Sequence, residues 1–317
     1  PRFRSVSVMA ALPTLSSASA GHSVNQSMVQ QFTNAGKFRS RLRKLSPFEA
    51  DRDSLTQIHS ERHIDYIREA SARASSTGCD RTTELTPDTA ISPATFAAAT
   101  LASGGALAAV DAGVSGAVDN AFCAHRPPGH HAERDQAMGF CYFNHVAIAA
   151  RHLQRHHGIQ RIAIIDWDVH HGNGTQHAFE TDADVFFFSI HQYPLYPGTG
   201  SGDEIGIGDG TGTTLNAPVS AGTGDVEYRQ IFAEVVRPAI DAFSPKFILL
   251  SAGFDAHRAD PLGSVQLTED GFQKLTETVM AMAQDHCGGA LVSMLEGGYD
   301  IEATAASVDI HLQTLCS

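Results

Sequence analysis

Basic residues are scarce in this sequence. The 22 lysines and arginines stand against 35 aspartates and glutamates, so the formal net charge is −13. A surface this acidic argues against binding along a phosphate backbone, and we expect no direct nucleic-acid binding. The one dense basic segment, residues 37–44 (KFRSRLRK), is more typical of a solvated face than of a binding patch. The charge would modestly favour cationic substrates.

Cysteine is also sparse. The five cysteines are scattered and include no CxxC pair, which argues against a disulfide framework and predicts reduced thiols in a cytoplasmic setting. No uninterrupted apolar run approaches the roughly 18 residues of a membrane-spanning helix, so we expect no membrane association. Residues 1–20 hold several serines, two arginines and no acid, as a targeting segment can. We favour a first strand, Phe3–Met9, followed by a loop.

Apolar runs and helical patterns alternate along the 317 residues. Short runs that are apolar throughout predict buried strands at Ala121–Ala124, Arg161–Ile165, Val185–Ile190, Phe247–Ser251 and Ala290–Leu295. Helical patterns between them predict helices at Ser60–Ala74, Pro93–Ala112, Asn144–His157, Val226–Phe243 and Glu269–His286. This alternation indicates an α/β fold with a mainly parallel sheet flanked by helices. Without an internal repeat or a long linker, we expect one domain over residues 1–317; the glycine-rich residues 198–212 are expected to form a surface loop beside the site.

Acidic and histidine side chains follow the predicted strands directly, where parallel sheets bind their ligands. Asp166, Asp168 and His170 occupy alternate positions after one strand, and alternate residues of an extended segment point the same way. Asp255 follows another strand and supplies a third ligand beside Asp168 and His170. A set of two aspartates and one histidine with an open fourth position is typical of a catalytic zinc site. Iron(II), cobalt and manganese also accept such ligands.

Two further strand ends carry groups suited to acid–base chemistry. His130 and His131 follow a Pro-Pro-Gly turn, and adjacent imidazoles beside a metal suit proton transfer to and from water. Tyr299 follows two glycines, so its phenol can approach the site and donate to an oxyanion. Each residue alone would more often cap a helix or pack in a core. Their joint occurrence predicts a metal-dependent hydrolase.

These motifs resemble the family of histone deacetylases and acetylpolyamine amidohydrolases, which has the arginase–deacetylase fold. The strings that carry the resemblance occur in family order: HRPPGHHAE, MGFCYFNHVAIAA, IDWDVHHGNGTQH, YPGTG, SAGFDAHRADPLG and EGGYD. They extend from about Ala121 to about Ala305, and several are similar to the class II branch in particular. The resemblance implies a zinc-dependent deacetylase that converts N-acetyl-lysine-like amides to acetate and free amine.

The resemblance also implies a role for individual residues. Asp168, His170 and Asp255 would bind zinc, His131 would be the general base and later the acid, and His130 its electrostatic partner. Asp166 would orient His130, Asn173 would orient His131, and Tyr299 would bind the scissile carbonyl. The acyl-lysine channel would be lined by Gly139, Phe140, Tyr196 and Leu262. A structural potassium ion would use Asp166, Ser189 and backbone carbonyls that include Ile190.

The chain departs from its presumed relatives at positions that shape the entrance. Tyr196 stands where the family often has phenylalanine, which changes the channel. Leu262 stands where members specialised for acetylpolyamines can carry an acid, so it favours acetyl-lysine. The first loop reads Gly21-His22-Ser-Val-Asn25 instead of a GHPE-type string. Substrate choice and the role of residues 1–50 are therefore not inherited from the resemblance.

Three alternative functions stay open. The same site could hydrolyse acetylpolyamines or another small amide. An arginase-like dimanganese hydrolase shares the fold, but it needs acids that His130 and His131 do not supply. A non-catalytic acyl-lysine binding module would lack a ligand or the tyrosine, and both are present. Expected partners are acetylated lysine peptides, proteins or amines, with acyl preference, physiological substrate and homo-oligomer formation left open.

Overall fold

The computed structural model describes residues 6–9, 42–76 and 83–317. Within these ranges an eight-stranded sheet lies at the centre, with strand order β2-β1-β5-β10-β9-β6-β7-β8 and every neighbouring pair parallel. Its strands are β1 (Val6–Met9), β2 (Leu42–Leu45), β5 (Asn120–Cys123), β6 (Ile162–Asp166), β7 (Val185–Gln192), β8 (Thr214–Val219), β9 (Phe247–Ala252) and β10 (Leu291–Leu295). A separate antiparallel hairpin joins β3 (Thr83–Thr86) and β4 (Thr89–Ile91).

Helices cover both faces of the sheet. One core contains residues of α1 (Arg52–Thr56), α2 (Glu61–Ser76), α3 (Thr95–Val114), α4 (His145–His157) and α5 (Asn173–Phe179). The other contains residues of α6 (Asp225–Ile231), α7 (Arg237–Phe243), α8 (Glu269–Cys287) and α9 (Ile301–Leu315). Because helices pack on both sides, β6, β9 and β10 are buried at every position, as their apolar runs require.

The helix boundaries have recognisable causes. Asn144 caps the start of α4 by accepting a hydrogen bond from the backbone of Ala147, and Gly158 ends the helix at a φ of 67°. Thr268 caps α8 in the same way. The helix expected at Val226–Phe243 is interrupted by a π-turn, Phe232–Val236. Pro238 follows the turn, and its nitrogen cannot donate the bond that would continue a regular α-helix.

The predicted fold class is confirmed: the chain is an α/β protein with a parallel sheet between helical layers. The first strand forms as Val6–Met9 between β2 and β5, while residues 3–5 of the prediction lie outside the described residues. Seven elements were not predicted: β2, β3, β4, β8, α1, α5 and α9. Within the basic segment 37–44 the structure describes only residues 42–44, which belong to β2. Leu42 is half-buried in the pairing with β1, and Arg43 and Lys44 are exposed, as a solvated face requires.

The expectation about membrane helices needs a correction. In the described part of the chain, α3 is 20 residues long and its mean hydropathy of 1.3 over an 18-residue window would allow it to cross a membrane. In this fold 67% of that window is buried inside the protein. The helix is rich in alanine and glycine, and Gly104 contacts Phe48 so closely that a Cβ would overlap its carbonyl oxygen. These features are those of a helix that packs in a core.

The strand order determines where the functional groups meet. The strands β5, β10, β9 and β6 are consecutive neighbours in the sheet and all run in one direction. Their carboxyl ends therefore form one edge, and the loops that follow them carry the predicted site residues to it.

Candidate active site

Asp168, His170 and Asp255 form a compact group at this edge. His170 Nδ1 lies 3.1 Å from Asp168 Oδ1 and 3.0 Å from Asp255 Oδ2. The donor atoms of the three side chains all lie within 4.8 Å of one another. All three residues are buried, so two carboxylates lie side by side away from water. Buried carboxylates need a compensating cation or a proton, and a divalent metal among these donors would supply the charge.

Backbone groups hold both carboxylates in place. The amide of Gly297 donates to Asp168 Oδ2 at 2.7 Å, and the amide of Val169 donates to Asp255 Oδ1 at 2.9 Å. The backbone can come this close because Gly297 has no Cβ; a Cβ at this position would overlap the carboxylate of Asp255. The sequence pattern Glu-Gly-Gly therefore reflects a steric requirement of the carboxylate pair.

The buried charges of Asp168, His170 and Asp255 shift one another's pKa values. Burial, with the nearby Asp168 adding to it, raises the pKa of Asp255 to about 7. Burial opposes protonation of His170, but its bonds to the two carboxylates outweigh this and raise its pKa to about 10. Burial also opposes ionisation of Asp168, and the facing histidines reverse the effect and lower its pKa. Oxygen and imidazole donors of this kind match zinc and several other divalent metals.

His130 and His131 lie beside this group with their ring centroids 4.0 Å apart. His130 Nδ1 lies 2.9 Å from Asp166 Oδ2, and His131 Nδ1 lies 2.7 Å from Asn173 Oδ1. Burial disfavours a charged His130, yet the carboxylates of Asp166 and Asp168 raise its pKa to about 10. Burial lowers the pKa of His131 well below its ordinary value, and the neighbouring His130 lowers it further. The two rings therefore differ in protonation at neutral pH.

Glu296 anchors the loop that carries the two histidines. The backbone amides of Gly129 and His130 donate to Glu296 Oε2 at 2.7 and 3.1 Å, and the hydroxyl of Ser251 donates to Oε1 at 3.1 Å. Burial raises the pKa of Glu296 to about 7. In the sequence Glu296 directly follows β10 and begins the string EGGYD. Its contacts explain how the Pro-Pro-Gly turn is fixed to the sheet.

A cleft of about 230 Å³ leads from the surface to His131 and His170. All four predicted channel residues line it, together with Asp88, Leu195 and Tyr299. Phe140 adopts a positive φ of 66°, which turns its ring towards the cleft, 5.9 Å from the ring of Tyr299. Gly139 is required beneath it, because a Cβ there would overlap the ring of His131. The walls are mainly aromatic and suit an apolar stem.

Tyr299 lines the cleft together with His131 and His170. Burial raises the pKa of its phenol well above 10, and the carboxylates of Asp255 and Asp168 add to the effect. The hydroxyl therefore keeps its proton and is a hydrogen-bond donor at neutral pH. The backbone amide of Tyr299 donates to Asp260 Oδ2 at 2.7 Å, and Asp260 also accepts from the amide of Leu262 at 2.9 Å. One carboxylate thus holds the loops of both residues.

Sequence reasoning missed Asp88. Its Oδ2 accepts a hydrogen bond from the hydroxyl of Tyr196 at 2.6 Å, and the amide of Gly139 donates to the same oxygen at 3.2 Å. Partial burial opposes ionisation of Asp88, but bonds from Tyr196 and neighbouring threonines lower its pKa to about 2. The cleft therefore carries a negative charge. No local pattern marks this residue, since 108 positions separate it from Tyr196.

The residues named for potassium lie deeper in the sheet. Asp166 of β6 is directly opposite Ser189 of β7, and Ile190 follows in the same buried strand. The hydroxyl of Ser189 lies 2.9 Å from His191 Nδ1. The strand pairing thus places Asp166 beside Ser189, and Asp166 Oδ1 also accepts a hydrogen bond from the amide of Asp168.

Comparison with known proteins places the chain in a family. Residues 22–315 match the family model of the histone deacetylase domain. The chain is 42% identical over 275 residues to a probable deacetylase of Archaeoglobus fulgidus, covering 86% of this chain and 74% of that protein. It is 40% identical over 281 residues to the human polyamine deacetylase HDAC10, covering 86% of this chain and 41% of that protein.

A solved structure gives the same answer. The HD domain of HDA15 superimposes with a TM-score of 0.89 at 34% identity, covering 99% of this chain and 88% of that one. Histone deacetylase 14 of Arabidopsis thaliana is 43% identical over 279 residues, which are 86% of this chain and 66% of that protein. The chain therefore belongs to the histone deacetylase family. It is a hydrolase of the deacetylase and amidohydrolase class.

Proposed function

We propose that this enzyme is a zinc-dependent deacetylase that hydrolyses the acetyl amide of N-acetyl-lysine-like substrates to acetate and a free amine. The observation that carries the proposal is the meeting of a two-aspartate, one-histidine group with His131 and Tyr299 in one aromatic cleft. An arginase-like two-metal centre has less support. In the part of the chain that the structure describes, the other group of possible ligands, Asp111, His152 and His157, shares no residue with this one.

Asp168, His170 and Asp255 would hold the zinc ion. The fit rests on their chemistry: two buried carboxylates and one imidazole nitrogen face one another and leave room for a substrate. When bound there, zinc would polarise the acetyl carbonyl and lower the pKa of water.

The chain's own residues would move the protons. His131 has a low pKa and is available as a neutral base, so it would accept the proton of the attacking water and pass it to the departing amine. Asn173 would hold its ring. His130 would stay protonated between Asp166 and Asp168 and stabilise negative charge nearby. Tyr299 would donate its hydroxyl proton in a hydrogen bond to the oxyanion.

The cleft suggests the substrate class. Phe140 and Tyr196 would enclose an aliphatic stem, and the exposed Leu262 at the rim is apolar. These features favour acetyl-lysine in a peptide. Asp88 supports a second candidate, because an ionised carboxylate in the cleft would also bind the free ammonium group of an acetylpolyamine.

Turnover on a matched substrate pair tests the proposal. Zinc-reconstituted enzyme is assayed on an acetyl-lysine peptide and on acetylspermidine, with acetate release as the readout and Asp255→Ala as the metal-free control. We expect a higher kcat/KM for the peptide and no turnover by the control. A preference for acetylspermidine would establish the second candidate, and equal turnover by a control shown to lack metal would overturn zinc dependence.

The proposal also covers a potassium site, the partners and the location of the enzyme. Asp166, Ser189 and the carbonyl of Ile190 would contribute to a structural potassium site. The partners would be acetylated lysine peptides, proteins or amines. Among the described cysteines, Cys123, Cys141 and Cys287 are free thiols, in keeping with a cytoplasmic location. Fractionation of cells that express the full-length protein would test that location.

A further inference from the structure

A second group of possible metal ligands lies at the opposite end of the helical layer. Asp111 Oδ1 is 2.7 Å from His152 Nε2 and 2.6 Å from His157 Nε2. These three donor atoms lie within 4.8 Å of one another and all three residues are partly buried. His152 and His157 therefore converge from α4 on one carboxylate of α3.

The surroundings of Asp111 favour a cation. Asp111 lies in the last turn of α3, where the free carbonyl groups already make the potential negative. An acid in this position is unfavourable unless positive charge is near. The imidazole nitrogen atoms of His152 and His157 that face Asp111 are ligands for a divalent transition metal, which would supply that charge.

We propose that Asp111, His152 and His157 bind a zinc-class divalent cation that joins the end of α3 to the end of α4. Tetrahedral zinc at its usual bond lengths keeps ligand atoms about 3.3 Å apart. The carboxylate of Asp111 therefore needs to move away from the two imidazole nitrogens by less than about 1 Å. Its side chain is 47% exposed and is free to do so. The same exposure leaves the remaining coordination positions to water. The site is independent of catalysis.

Metal counting with a matched control tests this site. Metal-depleted full-length protein is titrated with Zn²⁺ against a chromophoric chelator. We expect two equivalents for the wild type, one for His157→Gln, and one for Asp111→Asn, which keeps the shape of the side chain. His156→Gln is the control, because that ring stacks on His152 at 4.6 Å but lies outside the donor set, so it should retain two.

The thermal transition gives a second readout. Zinc beyond the first equivalent should raise the Tm of the wild type and leave that of His157→Gln unchanged. Deacetylase activity of His157→Gln should equal that of the wild type. Two equivalents in both His157→Gln and Asp111→Asn, or a single equivalent in the wild type that Asp255→Ala removes, would overturn the proposal.

A different observation concerns the general base, and the inference from it rests on the proposed function. Asn173 Nδ2 lies 2.5 Å from Glu133 Oε1, while its Oδ1 faces His131 Nδ1 at 2.7 Å. His177 Nδ1 lies 2.8 Å from the same oxygen of Glu133. A line of hydrogen bonds thus connects the buried His131, through Asn173 and Glu133, to a half-exposed histidine.

Glu133 decides which way the amide of Asn173 faces. The two ends of an asparagine amide are nearly equal in size, so their partners choose the orientation. An ionised carboxylate only accepts, and it therefore selects the NH₂ group. The amide oxygen must then face His131 Nδ1 and accept its proton. The Nε2 lone pair of His131 is left free for catalysis.

We infer that Glu133 is a positioning residue that fixes the tautomer of His131 through Asn173. In this chain Asn173→Asp would place a carboxylate against that of Glu133, a repulsive pair. The neutral amide of Asn173 and the carboxylate of Glu133 therefore act together, because the carboxylate accepts the hydrogen bond that the amide donates.

A double-variant cycle tests this inference. Glu133→Gln can offer either end of its amide, so we expect kcat on the acetyl-lysine peptide to fall by about tenfold with little change in KM. Asn173→Asp should also lose activity, and Glu133→Gln with Asn173→Asp should recover it, because glutamine can donate to the new aspartate. His177→Asn, which touches only Glu133 in this line, is the control and should stay within about twofold.

A spectroscopic readout separates this inference from the proposed function. The ¹⁵N chemical shifts of His131 should report a protonated Nδ1 in the wild type and a mixture of tautomers in Glu133→Gln. An inactive wild type with those shifts would refute the function and support the positioning role. Unchanged shifts and unchanged kcat in Glu133→Gln, or failure of the double variant to recover, would overturn the inference.

Discussion

Removing one hydroxyl group from the cleft gives a sharp prediction. In Tyr299→Phe the ring keeps its place, 5.9 Å from the ring of Phe140 and under the guanidinium of Arg126 at 5.7 Å from the ring centroid. Only the phenolic donor is lost. Because burial keeps that phenol protonated, its full strength as a donor is available in the transition state. Loss of such a donor costs about 3–4 kcal/mol, or a factor of about 10²–10³ in kcat.

Steady-state kinetics and metal analysis together check this prediction. Turnover of an acetyl-lysine peptide is measured for Tyr299→Phe and the wild type at equal zinc content, with the Tm as a control for folding. We expect KM to change little, because the donor acts mainly on the oxyanion. A variant that retains its metal and turns over within about threefold of the wild type would refute the role of Tyr299.

Other predictions concern pH, sterics and the rim. Burial lowers the pKa of His59 and His311 to about 3 and that of His145 to about 4. Below pH 6.5 these histidines therefore bind protons in the unfolded chain but stay neutral in the folded chain. Stability should fall as pH falls, by about 2 kcal/mol per histidine between pH 7 and 5; a Tm no lower at pH 5 would contradict this. Gly297→Ala should lose zinc and also lower the Tm, since its Cβ overlaps the buried carboxylate of Asp255; full zinc content would count against the proposed ligand set. Leu262→Glu should raise kcat/KM for acetylspermidine relative to the peptide, and an unchanged ratio would show that the rim does not select the amine.

The central strands could be predicted from sequence because burial on both faces requires continuous apolar runs. β6 and β9 follow this rule at every position. The edge strands β2 and β8 do not. Thr214–Val219 alternates in burial and contains Pro218, which an edge strand tolerates, while Leu42–Leu45 exposes its two basic residues. The amino-acid composition of an edge strand depends on its contact with solvent as much as on its pairing. The sequences of β2 and β8 therefore show no clear strand pattern.

The residues of the candidate site could likewise be predicted where they follow central strands and not elsewhere. Asp168, His170 and Asp255 could be grouped from sequence because each follows a central strand and those strands end at one edge. Asp88 could not, because it reaches the cleft from a hairpin that the apolar pattern does not mark. Glu133 could not either, since its partner Asn173 is 40 positions away and only the fold brings the two together.

The central claim is that three side chains from two strand ends bind one divalent cation and leave a position open. Anomalous diffraction at the zinc edge from crystals of the zinc-loaded enzyme tests it most directly. We predict a peak within bonding distance of Asp168, His170 and Asp255, with no fourth protein ligand. Loaded crystals without a peak between those three side chains, or with a fourth side chain that closes the coordination, would contradict it.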